Sequence, residues 1–175
     1  MTYKLPLEWL QPVKMARIIV HWSAGAYRAS DLDKDHYHFI TEGTGNVVRG
    51  DHTVADNVNT ADDNYAAHTR GCNTGSIGVS FASMAGAIES PFNPGKFPLT
   101  EAQWARGMDV IAHLASFYKI PITDKTILTH AEVQPNLGIK QNGKWDITRL
   151  PFDASLIGAK ACGDKMRRDV KARMR

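Results

Sequence analysis

Arg17-Ile18-Ile19-Val20-His21-Trp22 decides how the rest of the chain is read. Residues 16–20 are rich in β-branched side chains, with Ile18-Ile19-Val20 continuously apolar, the composition of a strand buried on both faces. A second run, Thr126-Ile127-Leu128-Thr129, also ends at a histidine, His130. Ser76-Ile77-Gly78-Val79-Ser80-Phe81 reads as a third strand. Tyr37-His38-Phe39-Ile40-Thr41 alternates, Gly43 and Gly45 supply a turn, and Val47-Val48-Arg49 follows, which predicts a hairpin. Between these runs the spacing predicts a helix over 100–118. Thr100 and Gln103 form a capping box, Met108, Ile111, Leu114, Ala115 and Tyr118 share one face, and Pro121 stops continuation. Residues 54–74 are polar and read as a long loop. Residues 151–157 read as one helical turn and 164–174 as a terminal helix. Strands interleaved with helices, one hairpin among them, predict an α/β fold: a single domain with a central mixed β-sheet flanked by helices.

The length of 175 residues suits one domain with a real core. No apolar run approaches the roughly 20 residues of a membrane helix. The start, Met1-Thr2-Tyr3-Lys4-Leu5-Pro6, lacks the apolar stretch of a signal peptide, which predicts synthesis in the cytoplasm. Cys72 and Cys162 are too few for a disulfide framework. The net charge of +3 is unevenly placed: residues 160–175 carry seven bases against two acids, leaving the remainder mildly acidic. A division follows into a main domain over 1–158 and a basic helical tail over 159–175. Such a tail either is a solvated helix or engages an anionic surface; nucleic acid is not an expected partner, and a monomer is expected.

His21, His130 and Asp146 stand apart along the chain, the histidines at strand ends and Asp146 after a polar loop with Lys144 two positions before it. Two imidazoles and one carboxylate with an open fourth position make a hydrolytic zinc site. Read singly, the same residues also fit a hydrogen-bonded strand-end histidine and a helix N-cap.

Five words occur in order: Ile18-Ile19-Val20-His21-Trp22-Ser23-Ala24, Tyr37-His38-Phe39-Ile40, Asn73-Thr74-Gly75-Ser76-Ile77-Gly78-Val79, Thr129-His130-Ala131-Glu132-Val133 and Lys144-Trp145-Asp146. Together they resemble the zinc-dependent N-acetylmuramoyl-L-alanine amidases, which include amidase-type phage lysozymes, muropeptide amidases and peptidoglycan recognition proteins. The resemblance implies zinc (Zn2+) held by His21, His130 and Asp146, with Lys144 stabilising an oxyanion and Tyr37 beside the attacking water. It also implies that His68 and Asn73 line a substrate groove. Amide hydrolysis builds negative charge on the carbonyl oxygen, which an ammonium at Lys144 would meet. A free phenol has a pKa near 10, so Tyr37 suits positioning water better than taking its proton. Tyr37 and His38 are adjacent in an extended run and face opposite ways, so His38 is not expected as a ligand.

Ser80 stands where muropeptide amidases of the cytoplasmic type carry glutamate, which favours the phage-type arrangement. The segment 25–36 leaves room for only a turn or two of helix, and Asp31, Asp33 and Asp35 within it read as solvated. The resemblance implies cleavage of the amide between N-acetylmuramic acid and L-alanine of peptidoglycan, by an endolysin that reaches the wall in the periplasm after release. A non-catalytic peptidoglycan-binding module and a cytoplasmic muropeptide-recycling amidase are the alternatives.

Overall fold

The computed structural model describes residues 3–174. A five-stranded sheet runs in the order β3-β2-β4-β1-β5. Its strands are β1 (Arg17–Trp22), β2 (Phe39–Thr41), β3 (Val47–Arg49), β4 (Ser76–Phe81) and β5 (Ile127–Thr129). β2, β4, β1 and β5 are parallel, and only the edge strand β3 is antiparallel, through the expected hairpin. The expected mixed sheet flanked by helices is therefore present.

Alternation along the strands sorts their side chains into two layers. Ile18, Val20, Phe39, Ile77, Val79 and Phe81 join one large core with Met108, Ile111 and Leu114 of helix α2 (Glu101–Phe117). α2 begins as expected: Thr100 Oγ1 accepts from Gln103 N–H, and the Gln103 side chain returns the bond. Gly107 lets this helix press close, since a Cβ there would lie 2.3 Å from the Phe81 ring. On the opposite face Ile19 packs with Cys72 and Val133, the last from helix α3 (His130–Leu137). His21 belongs to this second face, near the carboxyl end of the interior strand β1.

Several local expectations are corrected. Residues 151–157 make no helical turn. Pro151 and Phe152 turn the corner between β6 (Arg149–Leu150) and β7 (Asp153–Ile157), an antiparallel pair. Proline's fixed φ suits that corner as well as it suits a helix start. Helix α3 was not anticipated, although Thr129 and Glu132 form a capping box at its start and Gly138, at φ 73°, closes its end. Asp33 is not solvated: it is buried in the short helix α1 (Asp31–His36), where it completes a capping box with Ser30. Within 54–74 residues Val54–Val58 form a 3₁₀ helix, and the rest is irregular.

The terminal helix α4 (Ala159–Arg173) starts five residues before the expected position and is a layer of the core. Cys162, Met166 and Val170 are fully buried, and both cysteines are free thiols. Trp104 Nε1–H of α2 donates to Asp169 at 2.8 Å, and Arg173 pairs with Asp109 at 2.8 Å. Arg167, read from sequence as one of the tail's surface bases, is instead buried. Its guanidinium reaches both carboxylate oxygens of Glu132 at 2.8 and 3.0 Å, because a buried charge is tolerated only when paired. Glu132 also accepts from Thr129 N–H, so this pair pins the turn from which His130 projects. Lys160 and Lys165 pair with Asp164 and Asp169; Arg168 and Lys171 have no ion-pair partner among the described residues. Arg175 lies outside those residues. No described helix is long and apolar enough to cross a membrane.

Candidate metal centre

Three segments deliver the candidate ligands. β1 carries His21, the first turn of α3 carries His130, and the loop after α3 carries Asp146. Two contacts hold that loop in place: Ala131 N–H donates to Asp146 O at 2.6 Å, and Trp145 packs edge-on against Trp22 at 4.9 Å between ring centroids. As a result His21 Nδ1 lies 3.1 Å from His130 Nδ1 and 3.0 Å from Asp146 Oδ2, and His130 Nδ1 lies 3.2 Å from the same oxygen. All three residues are buried; His130 and Asp146 line a groove of roughly 800 Å³, and His21 lies against them.

The second ring nitrogen of each histidine tests whether this triangle fits a metal. His130 Nε2 faces Gln141 Oε1 at 2.8 Å. The Gln141 amide cannot be reversed, because its Nε2 donates to the carbonyls of Arg70 and Ile139. His130 therefore donates through Nε2 and turns a lone pair at Nδ1 toward Asp146. Burial drives the His21 pKa down to about 4, so this imidazole is neutral near pH 7. A triangle of acceptors about 3 Å on each edge is electrostatically unfavourable unless a cation joins it. Zinc–ligand bonds of about 2.0–2.1 Å at tetrahedral angles give edges of about 3.3 Å, close to those seen. The donor set and its spacing fit zinc.

Around this centre the other expected residues are distributed unequally. The Tyr37 ring lies 5.1 Å from that of His21, half-buried at the groove wall. Burial, then the Asp146 charge, push its phenol well above the ordinary value, so it stays protonated. Lys144 is exposed at the groove mouth. Asn73 lines the groove, but its amide oxygen is taken by Thr69 N–H at 2.8 Å. His68 also lines the groove beside His21, and both its ring nitrogens have protein partners. His38 is held away from the ligands, as its strand parity requires: Nε2–H donates to Asn57 Oδ1 and Nδ1 accepts from Gly78 N–H.

Sequence reasoning gave no role to Gln141 or Thr69. Gln141 lies five residues before Asp146 in a loop that reads as polar and solvated, yet it is buried. Only its contacts in space, with His130 on one side of the amide and the Arg70 carbonyl on the other, reveal its part.

A parallel-rich α/β sheet with two imidazole nitrogens and a carboxylate oxygen converging at a groove has the layout of a single-metal hydrolase. The family model described as N-acetylmuramoyl-L-alanine amidase (Amidase_2) matches residues 11–148, most of the chain, and the chain belongs to that family. Among solved structures it is similar to the endolysin N-acetylmuramoyl-L-alanine amidase LysCS from Clostridium intestinale URNW. That match has 16% identity and a TM-score of 0.45, covering 80% of this chain and 93% of that one. It is also similar to the N-acetylmuramoyl-L-alanine amidase LysC of the same organism, at 16% identity and TM-score 0.44, covering 80% and 95%. No curated protein matches the chain.

Proposed function

We propose that this chain is a zinc-dependent amidase. It hydrolyses the bond between the lactyl group of N-acetylmuramic acid and L-alanine in peptidoglycan, acting on the wall as an endolysin of phage or prophage origin. The observation that carries the chemistry is the buried triangle of His21, His130 and Asp146 opening onto a groove, in a chain of this family.

His21, His130 and Asp146 would hold the metal. Zinc bound there lowers the pKa of a water molecule and polarises the scissile carbonyl. The substrate amide lies along the groove, its carbonyl oxygen toward Lys144. As the water oxygen bonds to the carbonyl carbon, that oxygen gains charge, and the Lys144 ammonium is placed to stabilise it. Tyr37, a protonated phenol beside His21, hydrogen-bonds the attacking water and fixes its approach. The carbon–nitrogen bond then breaks, and the amine of L-alanine leaves with the proton that the water gave up. Asn73 presents its remaining amide group to the groove as a substrate contact.

The test is a clearing assay on purified peptidoglycan, with new L-alanine amino termini counted. The expected result is one terminus per bond cut, loss of activity on complete metal removal, and recovery with stoichiometric zinc. Undiminished cleavage by the metal-free protein refutes the mechanism. Zinc binding and wall binding without new termini refute the activity.

A further inference from the structure

We propose that His68 is the positioning residue that keeps His21 in its metal-binding tautomer, and that Gly78 is the notch in the sheet that seats it. The inference rests on the metal centre proposed above and concerns groups beside it.

The hydrogen-bond directions leave one solution. Ser76 O can only accept, so His68 Nε2–H donates to it, at 3.3 Å. The neutral ring then has a lone pair at Nδ1. Two groups face that lone pair: Thr69 Oγ1 at 2.8 Å and His21 Nε2 at 3.3 Å. Thr69 Oγ1 is itself 3.4 Å from His21 Nε2. The shorter contact assigns the hydroxyl proton to His68 Nδ1, so the Thr69 oxygen turns a lone pair toward His21 Nε2, which therefore carries the proton. His21 is thus obliged to present its lone pair at Nδ1, the atom that faces His130 and Asp146. Gln141 does the same for His130, so each imidazole has its own outer partner.

The seat is specific. Gly78 lies on β4 with its missing side chain directed at the His68 ring; a Cβ there would fall 2.6 Å from Cγ and Cδ2. Any other residue would lift the ring off the sheet and away from His21. Thr69, next to His68, is fastened in turn through its N–H to Asn73 Oδ1. With both ring nitrogens engaged, His68 has neither left for substrate, which distinguishes this role from the groove contact that the resemblance implies.

Three measurements on the full chain test the proposal. Zinc affinity is read by competition with a chromogenic chelator. His68→Phe, which keeps the ring's bulk and removes both nitrogens, is expected to bind zinc about 10–100-fold more weakly. His68→Gln, whose amide can accept from His21 and donate to Ser76, is expected to recover most of that loss. Gly78→Ala, which retains His68 but displaces it, is expected to weaken zinc about as much as His68→Phe. The parent's long-range ¹H–¹⁵N spectrum, which needs no variant to fold, is expected to place the His21 proton on Nε2. A His21 proton on Nδ1, a His68→Phe affinity equal to the parent's, or a His68→Gln affinity no better than that of His68→Phe overturns the proposal. A parent that binds no zinc removes the metal centre and this role together, whereas a zinc-binding parent indifferent to His68→Phe removes this role alone.

Discussion

Gly163→Ala is expected to destabilise the protein, against the usual sign for such a change. Inside a helix, alanine is favoured over glycine by about 1 kcal/mol. Gly163 sits within α4 where an added Cβ would lie 2.1 Å from both carboxylate oxygens of Glu132. That carboxylate is buried and cannot swing aside freely: Arg167 grips both oxygens and Thr129 N–H holds one. The methyl group forces it to move by about 1 Å or separates it from Arg167. Breaking a buried pair costs about 3–5 kcal/mol. Against the helix gain, the net loss is about 3 kcal/mol. A chain of this size loses about 2–4 °C of Tm per kcal/mol, so calorimetry should show a fall of roughly 6–12 °C. In a Glu132→Ala background the obstruction is gone, and the same substitution should become neutral or stabilising by up to about 1 kcal/mol. A raised Tm in the parent background, or an equal fall in both, refutes the reasoning.

Lys144→Met should lower kcat about 10²- to 10³-fold while bound zinc, measured by atomic emission, stays stoichiometric, because the ammonium acts on developing charge and is not a ligand. Asp146→Ala should bind substoichiometric zinc and cleave nothing measurable, as two imidazoles alone leave the triangle without its anion. His38 has its pKa lowered by burial to about 4 from 6.5, and protonating its Nδ1 would point a proton at Gly78 N–H. As pH falls below 6.5 the unfolded chain takes up a proton that the native state refuses, so stability declines down to about pH 4. Urea titrations should show His38→Gln losing that share of the pH dependence, about 1.4 kcal/mol per pH unit. Of the bases on α4 only Arg168 and Lys171 are without ion-pair partners among the described residues. Replacing both with glutamine should therefore flatten the salt dependence of wall clearing, and an unchanged salt profile would mean that the helix contributes no such attraction.

The elements that advertise themselves in sequence are those whose periodicity is uninterrupted. β1 was legible as a continuous run of β-branched residues, β4 because its apolar residues recur at period two, and α2 because they recur at period 3.6 behind a capping box. α3 was hidden by its length and by Pro135, although Thr129 and Glu132 signalled its start. β7 escaped because it is short, partly exposed and polar at Asp153 and Ser155. Arg167 looked like a surface base because charge is read as exposure; its burial depends on Glu132, a partner 35 positions away. At the centre, residue types and local words brought together His21, His130 and Asp146. The outer partners were illegible, since a glutamine or threonine in a polar loop gives no sign of facing a buried ring. His68 stood out as a histidine and lines the groove, but that its ring nitrogens turn to Thr69, Ser76 and His21 depends on the bare patch of sheet at Gly78.

The interior position of β1, between strands from the two halves of the chain, has a consequence for a severed molecule. β1 is flanked by β4 from its own half of the chain and by β5 from the other half. Between those halves the chain passes through an exposed stretch around Glu89 and Ser90. A protease cutting there would divide the polypeptide into a piece carrying His21 and a piece carrying His130 and Asp146, yet the pairing of β1 with β5 and the Ile88–Asn93 bridge would still join the pieces. The two fragments would remain interleaved, and two such pieces made separately have the means to find each other, with metal uptake reporting their reunion.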